Sequence, residues 1–322
     1  MGELVALIAS GSDGVKRLHT GRSRAGRRTV IGVPYVWLLV FFMLPFLIVM
    51  RISVSEMDGV ALKDILTFND GLPTLALKFS NYALLVQDDL YFLTYLSSLK
   101  YAAITTVLCL ALGYPFAYFM ARAKLSLQPA LLMLVMLPFW TSFLLRVYAW
   151  KGLLSDGGWV ANLLTTTGAD QVLVAFGAIP AAGQFMNTPF SLTVGMVYSY
   201  LPFMILPLYA NLSKMDLRLL EAAADLGATP LAAFWRITVP LSRAGIIAGS
   251  MLVFIPCIGE FVIPELLGGP QTLMIGRVLW DEFFSNNDWP MASSVAVVMV
   301  LLILVPLALF NKYQAESTEA HR

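Results

Sequence analysis

The sequence predicts an all-α integral membrane protein with about six transmembrane helices and both termini in the cytoplasm. Three observations carry that reading. Of 322 residues, 58% are hydrophobic and only 13% charged, and the mean hydropathy is +0.76. A soluble globule carries about 25% charge, so such a chain is poorly suited to water. Apolar windows recur at the length needed to cross a hydrocarbon core about 30 Å thick, about 20 residues each. Lysine and arginine are also distributed unevenly between the segments that join these windows.

The windows are about Val30–Met50, Tyr95–Met120, Pro129–Trp150, Phe190–Asn211, Ala244–Leu266 and Met291–Phe310. Proline and glycine interrupt most of them, which bilayer helices tolerate because neighbouring helices and polar side chains re-satisfy the freed backbone. Strand-type alternation suited to a barrel is absent. If both ends are cytoplasmic, the inner segments hold 14 of the 21 basic residues: Lys16, Arg17, Arg22, Arg24, Arg27, Arg28, Arg122, Lys124, Lys214, Arg218, Arg236, Arg243, Lys312 and Arg322. Cytoplasmic loops carry that excess, so N-in and C-in is the expected orientation.

The expected organisation is a basic cytoplasmic tail at 1–29, disordered and Gly/Ser/Arg-rich, then a transmembrane domain at 30–311 and a cytoplasmic C-terminal tail at 312–322. The first apolar window is too long for a signal-peptide core and lacks a small-residue cleavage site, so it reads as a retained anchor. The outer connections 51–94 and 151–189 are long enough for short surface helices. A net charge of +1 gives no reason to invoke nucleic acid.

Catalytic chemistry is hard to build from this inventory. His19 and His321, the two histidines, lie in the tails, and no GxSxG, HExxH or CxxC occurs. Cys109 and Cys257 fall within separate apolar windows and read as small packing residues. No GxxxxGK[ST] loop is present to cradle nucleotide phosphates. No catalytic, metal or cofactor site is expected on this chain.

The polar stretch 212–243, on the inner side, is too charged to span and too patterned for a linker. It reads as two short helices. Asp216 caps the first and Gly227 sits where a left-handed residue would end it. Thr229 caps the second, Pro230 takes its first turn and Pro240 marks its end. Leu219, Ala222, Ala223 and Leu226 fall on one small apolar face at helical spacing. On physics alone, a hairpin lying on the inner membrane surface with Glu221 and Asp225 solvated fits equally well.

The spacing adds a resemblance. Glu221-Ala222-Ala223, three residues, Gly227, nine residues, Ile237, one residue, then Val239-Pro240 resembles the cytoplasmic EAA signature of binding-protein-dependent ABC importer permeases, with Val239 replacing the usual leucine. The stretches Pro138–Trp150, Gly249–Pro270 and Gly276–Val298 resemble the polyamine permeases, nearer the putrescine than the spermidine type, and the connection at 151–189 looks long for that family. The resemblance implies a type I ABC importer permease fold in a bacterial inner membrane. It also implies a second permease, two ATPase subunits that use ATP and Mg, and a periplasmic polyamine-binding protein, with the EAA loop docking on the ATPase. The signature reports the motor rather than the cargo, so import of another small solute stays open. An ion-gradient transporter is the weaker alternative, and a non-transporting scaffold weaker still.

Ionisable residues inside a membrane are functional suspects. Glu260 lies 17 residues beyond Arg243 and Arg146 17 beyond Pro129, which places both about 25 Å from the inner face. Three readings stand: an Arg146–Glu260 structural ion pair, Glu260 as an acceptor for a substrate ammonium, or a water-facing carboxylate. Pro256, Gly259 and Pro264 loosen the chain around Glu260. Glu265, Asp281 and Glu282 sit nearer the outer interface as attractors of cations or as solvated groups. Trp140, Tyr148 and Trp150 either hold a cation or form an aromatic belt. Gly245 and Gly249 make a small-residue face expected between the two permease subunits.

Overall fold

In a computed structural model of the chain the described residues are 28–58, 61–63, 66–69, 72–75 and 78–319. His19, His321 and nearly all of the 1–29 tail lie outside them. The chain forms two compact units, Met1–Leu77 and Lys78–Arg322.

In the first unit, helix α1 spans Arg28–Ser53. A π-turn at Leu39–Met43 precedes Pro45, whose missing N–H leaves a carbonyl one turn earlier without its helical donor. After α1 come two antiparallel hairpins, β1 (Met57–Asp58) with β2 (Ala61–Leu62), and β3 (Leu66–Asn69) with β4 (Leu72–Leu75). The connection 51–94 therefore holds strands as well as a short helix of the kind the sequence suggested, Ser80–Gln87. Thr67, Phe68 and Thr74 favour the extended state.

Among the described residues of the second unit every regular element is a helix. It comprises α2 (Ser80–Gln87), α3 (Asp89–Arg122), α4 (Gln128–Met136, continuing as a 3₁₀ turn Leu137–Trp140), α5 (Phe143–Leu154), α6 (Trp159–Thr166) and α7 (Ala169–Ala175). The chain continues through α8 (Pro189–Leu212), α9 (Arg218–Asp225), α10 (Pro230–Leu241), α11 (Arg243–Ile258), α12 (Val262–Leu267), α13 (Ile275–Trp280) and α14 (Trp289–Glu319). The ends of the long helices are specified locally. Asp88 accepts from the Leu90 N–H at the start of α3, and Thr188 and Ser191 form a capping box ahead of α8, with Pro189 in its first turn.

α3, α8 and α11 pack on one another and build the main core from Ala102, Cys109, Met196, Met204, Leu208, Val253 and Cys257, among others. Both cysteines are fully buried, in keeping with a packing role. Close approach rests on glycine. A β-carbon on Gly249 would lie 2.8 Å from Met204 Sδ and 3.1 Å from its carbonyl, and one on Gly245 would lie 2.8 Å from Asn211 Cβ. This small-residue face therefore welds α11 to α8 within the chain, and the expectation that it served a subunit pair is corrected. Polar side chains tie the remaining helices: Tyr95 donates to the Val295 carbonyl at 2.8 Å and Ser191 to the Leu267 carbonyl at 2.7 Å.

Among the described residues, four helices (α1, α3, α8 and the Trp289–Ala308 part of α14) are individually long and apolar enough to cross a bilayer, and counting each of two bent pairs as one span raises the number to six. The third window is not one rod, because α4 and α5 meet at 87°. Pro138 tightens the end of α4 into a 3₁₀ turn, and Thr141 and Ser142 are extended. The fifth window ends as a helix at Ile258 and restarts at Val262. Proline at position 264 cannot donate to the carbonyl four residues earlier and its ring would clash there, so the break falls on Glu260.

Candidate coupling loop and intramembrane site

The stretch between α8 and α11 folds as the capping chemistry requires. Asp216 Oδ1 accepts from the Arg218 N–H at 3.0 Å, and α9 then carries Glu221, Ala222 and Ala223. It ends in a Schellman motif, with Gly227 at φ +79°, its N–H on the Ala224 carbonyl and the Ala228 N–H on that of Ala223, both at 2.9 Å. Thr229 Oγ1 accepts from the Ala232 N–H at 3.3 Å to open α10. Ile237 lies in a π-stretch, Phe234–Thr238, and Pro240 in the last turn.

Only Ala223 of the anticipated apolar face is buried. Leu219, Ala222 and Leu226 are exposed, together with Leu231, Trp235 and Glu221. On the inner side of the loop, Tyr114 of α3 shares a 2.8 Å hydrogen bond with Ser242, and the rings of Tyr114 and Tyr118 meet Phe234 edge-on at 5.5 and 5.7 Å. The loop is thus anchored to the helix core on one side and presents acids and large apolar side chains on the other.

Glu260 lies in the break between α11 and α12 and is 8% exposed. Its Oε1 accepts from the Val262 N–H at 3.0 Å, which turns the carboxylate into a cap for α12, and its Oε2 accepts from the hydroxyl of Tyr200 on α8. The backbone of α13 presses against the same break: a β-carbon on Gly276 would lie 2.5 Å from the Gly259 carbonyl.

Arg146 is not paired with Glu260. α5 packs on α12, but the guanidinium lies over the rings of Phe139 at 5.1 Å and Phe143 at 5.7 Å, with Nε and Nη1 buried and without hydrogen-bond partners. The anticipated ion pair is corrected. Backbone donors and a phenol already satisfy the carboxylate, and two aromatic faces take the cation.

A comparison with protein families matches residues 110–317 to "Binding-protein-dependent transport system inner membrane component". The chain belongs to this family. Among curated relatives, the spermidine/putrescine transport system permease protein PotB of Haemophilus influenzae is 37% identical over 90% of this chain and 93% of its own length. PotB of Escherichia coli K12 is 38% identical over 86% and 94%. The inner membrane ABC transporter permease protein YdcU of the same organism is 35% identical over 68% and 71%. Among solved structures, a chain of a bacterial alginate ABC transporter superposes with a TM-score of 0.63 at 17% identity, over 90% of this chain and 94% of that one. The permease is a multi-pass inner-membrane protein with the ABC importer permease fold, and its relatives are named as membrane components of transport systems rather than enzymes.

The other site residues of the permease are spread out. Glu265 pairs with Arg277 at 2.6 Å and Asp281 approaches the same guanidinium at 3.8 Å. Glu282 accepts from the hydroxyl of Tyr91 at 2.8 Å. Trp140 and Tyr148 are exposed, whereas Trp150 packs edge-on against Tyr198 at 5.5 Å. Sequence reasoning missed Tyr200. It is one of 12 tyrosines, and only the fold brings α8 against the break in α11 and α12.

Proposed function

We propose that the permease forms the membrane pathway of an ATP-driven polyamine importer together with a second permease, with putrescine as the expected cargo. Two ATPase subunits, using ATP and Mg, drive it, and a periplasmic binding protein delivers the substrate. The observation that carries this reading is the loop Glu221–Pro240: six signature positions on a helix, a left-handed glycine and a second helix, anchored inward through Phe234 and Ser242 and exposing Glu221, Leu226 and Leu231. Such a surface suits docking into a groove of a two-state partner, and ATP can bias the pathway only through such contact. The relatives named for spermidine and putrescine support the cargo class.

In this reading Glu260 is the ammonium acceptor, and Tyr200 covers its carboxylate until substrate arrives. Trp140, Tyr148, Trp150, Glu265 and Asp281 stand as candidate contacts along the route. The test is uptake of radiolabelled putrescine by the reconstituted four-subunit transporter with its binding protein, in competition with spermidine. ATP-dependent uptake that either polyamine inhibits supports the assignment. Binding-protein-dependent uptake of another solute, with polyamines inert, overturns the cargo and keeps the machine.

A further inference from the structure

The connection between α5 and α8 has the composition of a bilayer segment and the length of none. Between Gly157 and Thr188 the only charged residue is Asp170, and its side chain is buried and caps the Gln171 N–H at 2.9 Å. A segment of this size in water would carry several exposed charges.

α6 is apolar on two faces. Ala161, Val160 and Leu164 face a small core with Leu154, Ile179 and Phe185. Trp159 and Leu163, one turn apart, point away from that core at 71% and 47% exposure. α7 repeats the arrangement: Leu173 joins the core, while Val172 and Phe176, again one turn apart, are 55% and 82% exposed. An exposed apolar stripe beside a core-facing one, bordered on α6 by the exposed Asn162 and Thr166, suits a helix lying at the boundary between apolar and polar surroundings.

The polar groups of α6 are largely self-satisfied. Thr165, Thr166 and Thr167 each donate to carbonyls of the preceding turn at 2.8–3.2 Å, and Asn162 Nδ2 donates to the Gly157 carbonyl at 3.2 Å. Back-bonded hydroxyls reduce the cost of leaving water.

We infer that α6 and α7 form an interfacial membrane element: a helical pair lying in the headgroup region at the end of α8 remote from the coupling loop, with Trp159, Leu163, Val172 and Phe176 inserted among lipid chains. The occupant of this apolar face is the bilayer. The element is continuous at both ends with membrane-embedded helices, and aromatic rings are the side chains that anchor at that depth. Interfacial helices usually add a basic face that reads anionic lipid. This pair has none, so its insertion rests on apolar area and is independent of lipid charge.

The test uses the assembled transporter in nanodiscs, with single nitroxide labels at positions 159, 163 and 176 and, on the polar flank of α6, at 162 and 165. The expected result is a severalfold excess of oxygen over water-soluble nickel-chelate collisions at the first three, reversed at the last two, and unchanged when neutral lipid is replaced by anionic lipid. Nickel-chelate collisions dominating at all five positions would overturn the proposal. So would labels at 159 and 176 that neither reagent reaches, the signature of a covering protein. As a second measurement without a label, the fluorescence lost in Trp159→Phe should be the fraction quenched by doxyl lipids labelled near the headgroup. Quenching that is identical in wild type and Trp159→Phe would count against insertion.

Discussion

The two connections that flank α8 are built alike and address different surroundings. Each joins membrane helices through two short helices, one of which ends on a left-handed glycine, Gly227 in the inner connection and Gly177 in the outer, at φ +79° and +67°; the outer one adds Gly157, Gly168 and Gly183. The inner connection displays Lys214, Asp216, Arg218, Glu221, Asp225 and Arg236 among exposed apolar residues, a mixture suited to a protein groove. The outer one displays apolar side chains with no exposed charge from Gly157 to Thr188. Backbone design alone therefore does not set function here; what the helices show to their surroundings does.

The largest expected effect tests the inner surface. Glu221→Lys and Gly227→Asp should abolish ATP-dependent uptake while leaving the permease in the membrane at wild-type abundance, measured by transport and quantitative blotting of membranes. Uptake unimpaired in both would remove the coupling role. Glu260→Gln sets the scale away from both connections: it should lower polyamine uptake severalfold more than it lowers recovery of the four-subunit complex on size-exclusion chromatography. Equal losses would assign Glu260 to capping α12 and nothing more.

A matched pair sharpens the contrast. An alanine β-carbon meets no atom within 4 Å at either Gly227 or Gly177, so Gly→Ala at both imposes the same backbone strain, about 1–2 kcal/mol. Only Gly227→Ala should reduce uptake if, as proposed, only its neighbours dock on a moving partner; comparable losses would erase the distinction. Smaller again is Tyr200→Phe. Hydrogen bonds to charged groups contribute about 1.5–3 kcal/mol in water-soluble proteins, and pairs between membrane helices about 0.6 kcal/mol. A modest drop in the thermal midpoint of the purified permease, with altered polyamine affinity, is expected. The smallest effect is Thr229→Ala, which removes one N-cap contributing about 1 kcal/mol and should slow uptake only slightly.

What the sequence made legible was local. Caps at Asp216 and Thr229 and the left-handed Gly227 are properties of neighbouring residues, and each is found where those residues place it. What it concealed was long-range. The 87° turn at Thr141–Ser142 and the break at Glu260 lie inside windows whose average apolarity hides them. Pro138 and Pro264 were visible, but proline is tolerated in membrane helices, so its presence alone did not choose between a kink and a break. The Arg146–Glu260 pairing failed for a related reason: matched depth along two helices says nothing about which way each side chain turns, and Tyr200, 60 residues from Glu260, reached it first.

The glycine weld between α8 and α11 has a mechanical consequence. With Gly245 and Gly249 seated on Pro207, Leu208 and Met204, the helices on either side of the coupling loop cannot slide independently at their near ends. In the proposed coupling, a push on the loop would be carried along this closely packed helix pair. The helix is next interrupted at Gly259–Phe261, about 25 Å away at 1.5 Å per residue. The permease thus sets the break in its helix, and the buried carboxylate that lies in it, at the end of the glycine-packed rod remote from the loop.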